Sequence, residues 1–178
     1  VKISQNQARR LELLLQIAPD IKCILVPYNP EDTAPGSAAA QIKELANELG
    51  IEIKEALVRT KDEALELLSN IPEDIDAIFM LPDSTINPFL AELIAISINR
   101  KLPLSGPSIA QVEGGALTAY GIIHERAGAQ AGHIADQILK GVSPGVLPVE
   151  TAEFYLGINL QMADSIGLEI TDNILKQA

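Results

Sequence analysis

From residue 23 onward, short apolar runs alternate with longer stretches of helical period, the pattern of a parallel sheet flanked by helices. Cys23, Ile24, Leu25 and Val26 form a buried-strand run, closed by Pro27 and the turn-rich Asn29-Pro30-Glu31-Asp32. From Ser37 the apolar residues Ala38, Ile42, Leu45 and Leu49 fall at spacings of four, three and four, one face of a helix, and Gly50 is its C-terminal stop. This is a first strand-helix unit.

The unit recurs. Residues 51–58 read as a strand, 60–70 as a helix, 77–81 as a strand and 87–100 as a helix, with short connections between them. Thr60 followed three residues on by Glu63 predicts a capping box, and Asn87-Pro88 predicts an N-cap before a first-turn proline. Residues 102–105 and 116–122 read as further strands. Residues 125–140 read as a helix with Ala127, Ala131, Ile134 and Ile138 on one side and Gly141 at its end. Residues 142–150, with Pro144, Gly145 and Pro148, form a connector. A last strand over 154–158 and short helices over 160–166 and 172–176 complete the chain.

Composition narrows the function. At 178 residues and 47% hydrophobic content, the chain suits one large or two small domains with a buried core. A net charge of −11 repels nucleic acid and anionic membrane surfaces. A single cysteine, Cys23, excludes an internal disulfide and a cysteine-rich zinc site, and it reads as a small hydrophobe inside its strand. His124 and His133 lie nine residues apart, on opposing faces of a helix, so no shared metal ligation is expected. No apolar run reaches the roughly 18–20 residues that cross a bilayer.

An open parallel sheet binds ligands at its strand carboxyl ends, where loops and helix N-termini present polar groups. That rule nominates residues 28–37, 82–85, 106–108 and 120–121. Asp83, Ser84 and Thr85 supply one anion and two hydroxyls directly after a buried strand, suited to an ammonium or hydroxyl-bearing solute and equally to a turn that caps the next helix. Ser37 offers a hydroxyl at a predicted helix start, or simply caps it. Tyr28 and Tyr120 fall at predicted strand ends, where a ring can stack on a ligand or be buried with its hydroxyl wet. Glu113 reads as a solvated loop carboxylate. Gly114-Gly115 lacks the lysine and strand-to-helix context of a phosphate loop and reads as a turn. No nucleophilic triad, zinc motif or close carboxylate pair is present, so the chain reads as a binder, not an enzyme, with no cofactor.

Several stretches in order resemble one family. Residues 10–14 through Ala18-Pro19, then 22–29, the loop Leu81-Pro82-Asp83-Ser84-Thr85-Ile86, and Gly114-Gly115-Ala116-Leu117-Thr118-Ala119-Tyr120-Gly121 resemble substrate-binding proteins of ABC transporters. Leu147-Pro148-Val149-Glu150, Gly157-Ile158-Asn159-Leu160 and Ile166-Gly167-Leu168 extend the likeness to the chain's end. The resemblance implies a lobe of the type 1 periplasmic-binding-protein fold, an extracytoplasmic location, a small solute such as an amino acid, and permease subunits as partners.

It also implies a division of the chain. Residues 1–20 would be a leading segment and helix, 21–113 most of a second lobe, 114–150 a return segment toward a first lobe upstream, and 151–178 the final strand and C-terminal helices. Tyr28, Asn29 and Ser37, with Asp83, Ser84 and Thr85, would lie on the cleft side, Asp83 fixing an amino group. The family often has asparagine where this chain has Ser84, which removes a paired amide donor and acceptor. The small-residue side of the 125–140 helix is expected to be exposed or covered by a second copy. The competing reading is a ligand-sensing domain of a receptor or transcription regulator, which uses the same fold.

Overall fold

The apolar runs pair into one six-stranded sheet of order β2-β1-β3-β4-β5-β6. The structure, a computed structural model, describes residues 3–177, with side chains from residue 6. Residues 1, 2 and 178 of the predicted leading and final segments lie outside the described residues. The strands are β1 (Cys23–Tyr28), β2 (Glu52–Leu57), β3 (Ala77–Phe79), β4 (Leu104–Gly106), β5 (Thr118–Gly121) and β6 (Tyr155–Ile158). The helices are α1 (Ile3–Ile17), α2 (Thr33–Glu48), α3 (Lys61–Ser69), α4 (Leu90–Arg100), α5 (Ile109–Glu113), α6 (His124–Leu139), α7 (Leu160–Ile166) and α8 (Asp172–Leu175).

β1 to β5 pair in parallel, and β6 alone runs antiparallel, against β5. Tyr155 opens β6 opposite Gly121, so the connector returns the chain to the end that β5 had just left. β1 lies between β2 and β3, so the chain leaves it to one side for β2 and crosses to the other for β3. That reversal of direction puts the topological switch point between the carboxyl ends of β1 and β3.

Every residue of β1 is buried, because both sheet faces are covered. On one face Ile24, Val26, Tyr28, Phe79 and Leu81 meet Leu11 and Leu14 of α1 and Ala38 and Ile42 of α2. On the other, Leu25, Ile78, Met80 and Leu104 meet Ala64 of α3 and Leu93 of α4. A third cluster joins Leu117 and Leu156 to Leu13 and Ile17 of α1, Met162 and Ile166 of α7 and Ile174 of α8. β2 lies at the sheet edge and carries Glu52, Lys54 and Glu55, charges that discourage pairing with another chain.

Five local expectations are corrected. Pro27 does not stop β1, which runs on to Tyr28. In a parallel strand alternate residues point their backbone groups to opposite neighbours. The Tyr28 carbonyl accepts from Val58, on the β2 side, whereas the Cys23 carbonyl accepts from Asp76, on the β3 side. Pro27 shares the parity of Cys23 and lies past Leu25↔Ile78, the last β1–β3 pair, so its missing N–H breaks no bond. The helix expected from Ser37 starts a turn earlier, with Asp32 as N-cap, and Pro35 sits in its first turn, where proline costs no hydrogen bond.

Asn87 is not an N-cap; it opens a 3-10 turn, Asn87–Phe89, ahead of α4. Glu113 is not in a loop but ends α5, a short helix closed by a capping box between Ser108 and Gln111. At Thr60 the hydroxyl does accept from the Glu63 amide, but the Glu63 carboxylate reaches Arg59 rather than Thr60. Gly114-Gly115 is a turn, with Gly115 at φ 120°.

α6 has no buried residue. Ala127 and Ile134 are half-buried, Ala131 and Ile138 exposed, and Leu139 is 87% exposed. The apolar side of this helix is partly open to solvent in the single chain.

Candidate functional site

At the switch point two loops are tied together by one carboxylate. Asp83 follows β3 and is 1% exposed. Its Oδ2 accepts from the Asn29 backbone amide at 2.6 Å, across the crevice, and its Oδ1 accepts from the amides of Thr85 at 2.7 Å and Ile86 at 3.0 Å. The second and third bonds form an Asx turn that starts the path into α4. The first fixes the loop after β1.

Asn29 reinforces the link. Its Nδ2 donates to the Thr85 hydroxyl at 3.2 Å, and its Oδ1 accepts from the Glu31 amide at 3.0 Å. Asn29 and Thr85 are half-buried and Ser84 is exposed, so amide and hydroxyl groups border the crevice while the carboxylate beneath them is spent on backbone donors. Sequence reasoning gave Asp83 the contact with a ligand ammonium. The structure gives it the work of holding the rim, because it is buried and both of its oxygens already accept backbone N–H bonds.

The remaining candidates separate from this rim. Tyr28 points into the core under α2, 7% exposed, and its hydroxyl donates to Glu55 at 2.8 Å. Burial and the Glu55 carboxylate push the Tyr28 hydroxyl up to about 12. Lys43 and the Tyr28 hydroxyl in turn hold the Glu55 carboxyl below the ordinary range. Tyr28 therefore belongs to a Tyr28–Glu55–Lys43 network at the sheet edge. Ser37 is exposed inside α2, not at its start. Tyr120, on β5, stacks on Phe154 with ring centroids 5.7 Å apart and packs on the third core cluster.

Two groups near the rim went unnoticed in the sequence. Arg10 is 1% exposed and Gln7 5% exposed, both on the α1 face that covers the sheet. Within an otherwise apolar helical stripe, only their placement one turn apart hinted at a shared polar position. A cavity of about 310 Å³ also lies apart from the switch point, lined by Arg126 and Gln130 of α6 and by Glu153 and Tyr155. Its walls come from segments distant in sequence, so no local motif announces it.

Comparison with known proteins settles the family. Residues 3–178 match the profile of ABC transporter substrate binding proteins. The chain belongs to this family. A tyrosine-binding protein of Clostridioides difficile (strain R20291) is 27% identical over 145 residues, which are 82% of this chain and 42% of that protein. The ligand-free, open structure of a substrate binding protein with adhesive properties from Clostridium difficile superimposes with a TM-score of 0.74. It is 28% identical and covers 93% of this chain and 56% of that one. An ABC domain from Streptococcus pneumonia in complex with L-Trp shares the fold, with a TM-score of 0.79 at 24% identity over 97% of this chain and 60% of that one.

The matched stretches cover 42% and 40% of the two curated relatives, so this chain spans only about half of their length. Its family is one of solute-binding proteins, which capture a solute and leave it chemically unchanged. Among the described residues no group of three or more metal-ligating side chains converges, and no helix is long and apolar enough to cross a membrane.

Proposed function

We propose that this chain forms one wall of an amino-acid-binding cleft in an extracytoplasmic component of an ABC importer. The observation that carries the reading is the Asn29–Asp83–Thr85 link, which joins the loops after β1 and β3 into one preassembled polar rim at the switch point. Asn29, Ser84 and Thr85 meet the solute through amide and hydroxyl groups, and Asp83 positions them. The exposed Glu31 and the half-buried Asp32 bring negative potential toward a solute ammonium. The similarity to a tyrosine-binding protein supports an amino acid over other small polar solutes.

A second lobe closes over this rim, and permease subunits read the closed form. The open side of α6 lies against that lobe or, in its absence, against a second copy of the chain. The test is a thermal-shift screen of the two-lobe protein against the amino acids and a panel of neutral sugars. A bound solute raises the unfolding midpoint by mass action, so an amino acid is expected to give a concentration-dependent rise. A rise with sugars alone would refute the amino-acid assignment, and loss of ligand response in neither Asn29→Ala nor Thr85→Val would refute the rim.

A further inference from the structure

The most unusual charge in the molecule is the buried guanidinium of Arg10. The β3–β4 ladder explains why it is there. Ile78 donates to the Pro103 carbonyl and Met80 to the Ser105 carbonyl, both at 2.9 Å. The next bond would run from residue 107 to the Met80 carbonyl, but residue 107 is proline and has no N–H. Arg10 Nη2 donates to that orphaned carbonyl instead, with the guanidinium 3.8 Å above the Phe79 ring.

One bond does not satisfy the group. Among the described residues, Arg10 Nε and Nη1, the Gln7 Oε1 and the Ser105 hydroxyl are all buried without partners. Among the described residues no carboxylate bears on Arg10, and residues 1–5 contain no acidic side chain. Desolvation alone pulls the guanidinium down to about 9, so it is still charged at neutral pH. A buried cation without an anion is costly, and it is tolerated when an anion arrives from elsewhere.

The rim itself carries Asp83, the exposed Glu31 and the half-buried Asp32, and the nearby Arg59 is drawn toward Glu31 at 3.5 Å. An ammonium is well provided for there, whereas a carboxylate approaching a chain of net charge −11 is repelled everywhere except near an uncompensated cation.

We propose that Arg10 is a specificity-determining positioning residue, its unpaired charge at the root of the Leu81–Thr85 loop providing the attraction that selects a carboxylate-bearing solute. At 1% exposure it acts without contact, through the weakly screened interior, and through the Met80 carbonyl that it holds at the start of the loop. The inference rests on the amino-acid reading above and names the group that separates amino acids from amines and sugars.

Calorimetric titration of the two-lobe protein with L-tyrosine and tyramine, which differ by the carboxylate, provides the test. Wild type is expected to bind L-tyrosine at least tenfold more tightly than tyramine. Arg10→Met is expected to weaken L-tyrosine at least tenfold while leaving tyramine within twofold, and Arg10→Lys, which keeps the charge, to retain L-tyrosine within about threefold. Equal losses for both probes in Arg10→Met would assign Arg10 a purely structural role and overturn the proposal, as would unchanged L-tyrosine affinity. A wild type that binds sugars but neither probe would instead defeat the amino-acid reading on which the proposal stands.

Discussion

Asp83 and Asn29, from loops after two different strands, are bound through a 2.6 Å contact between the Asp83 carboxylate and the Asn29 backbone amide. Since the same carboxylate also takes the amides of Thr85 and Ile86, removing it leaves three donors near the protein interior unpaired. Asp83→Ala is expected to lower stability by about 2–4 kcal/mol, read from urea unfolding midpoints. Asp83→Asn keeps an oxygen for Thr85 and Ile86 but turns a donor toward Asn29, and is expected to cost about 1–2 kcal/mol. An Asp83→Ala protein as stable as wild type would show that the rim does not need this carboxylate.

Tyr28 lies at the end of a strand but outside the rim. Tyr28→Phe removes its bond to Glu55 and is expected to cost about 1 kcal/mol while leaving the affinity of the two-lobe protein for its solute unchanged. The pH dependence has a definite sign. The folded chain holds the Tyr28 proton up to about 12, above the ordinary 10, so this stabilisation is complete below about pH 10 and is lost as pH rises toward about 12. Denaturant midpoints measured between about pH 9 and 11 should fall more steeply for wild type than for Tyr28→Phe.

The acid side of the same network behaves in the opposite sense. Glu55 is held below its ordinary 4.5 by Lys43 and Tyr28, so its contribution is present above that pH and disappears as pH falls through the lowered value. Lys43 is 53% exposed, and screening keeps the pair's worth small. Lys43→Met is expected to cost no more than about 0.5 kcal/mol at neutral pH and nothing at about pH 2. A loss that persists in acid would point to packing of the lysine stem.

Glycines give a paired test of backbone conformation. Gly115 has φ 120°, and an added Cβ would lie 2.9 Å from Ile94 Cδ1, so Gly115→Ala is expected to destabilise the chain. The cost should be about 1–3 kcal/mol. Gly36 lies within α2, where an added Cβ meets nothing within 4 Å. Gly36→Ala is expected to stabilise by about 0.5–1 kcal/mol, because a helical glycine is entropically costly. Thermal midpoints of the two variants should move in opposite directions.

The order of strands and helices was legible because burial on both faces makes inner strands such as β1 and β3 continuous apolar runs, and burial on one side gives the helices that cover them a one-sided stripe. Pro27 misled because its effect depends on which neighbour its missing N–H would face, and only the ladder register decides that. Ser37 misled because a serine in the second turn of a helix carries no local mark distinguishing it from a cap; Asp32, five residues earlier, held that position. α5 was missed although Ser108 and Gln111 have capping-box spacing, since only five residues follow the cap.

At the site, the sequence brought out the loops after β1 and β3 but assigned Asp83 by its charge. Its actual partners are backbone amides, which no side-chain motif records. Arg10 was invisible for a related reason, because the proline that makes it necessary, Pro107, lies just after β4, far from α1 in sequence.

The third core cluster joins α1 to α8, and Arg9 Nη2 also donates to Gln177 Oε1 at 3.2 Å, so the two extremes of the described chain clasp one another. The helix that carries Arg10 is thus anchored by the last helix as well as by the sheet. Trimming α8 should loosen the leading helix and, with it, the proposed preference for a carboxylate-bearing solute without altering any residue that borders the crevice, a remote lever on selectivity lying at the far end of the polypeptide.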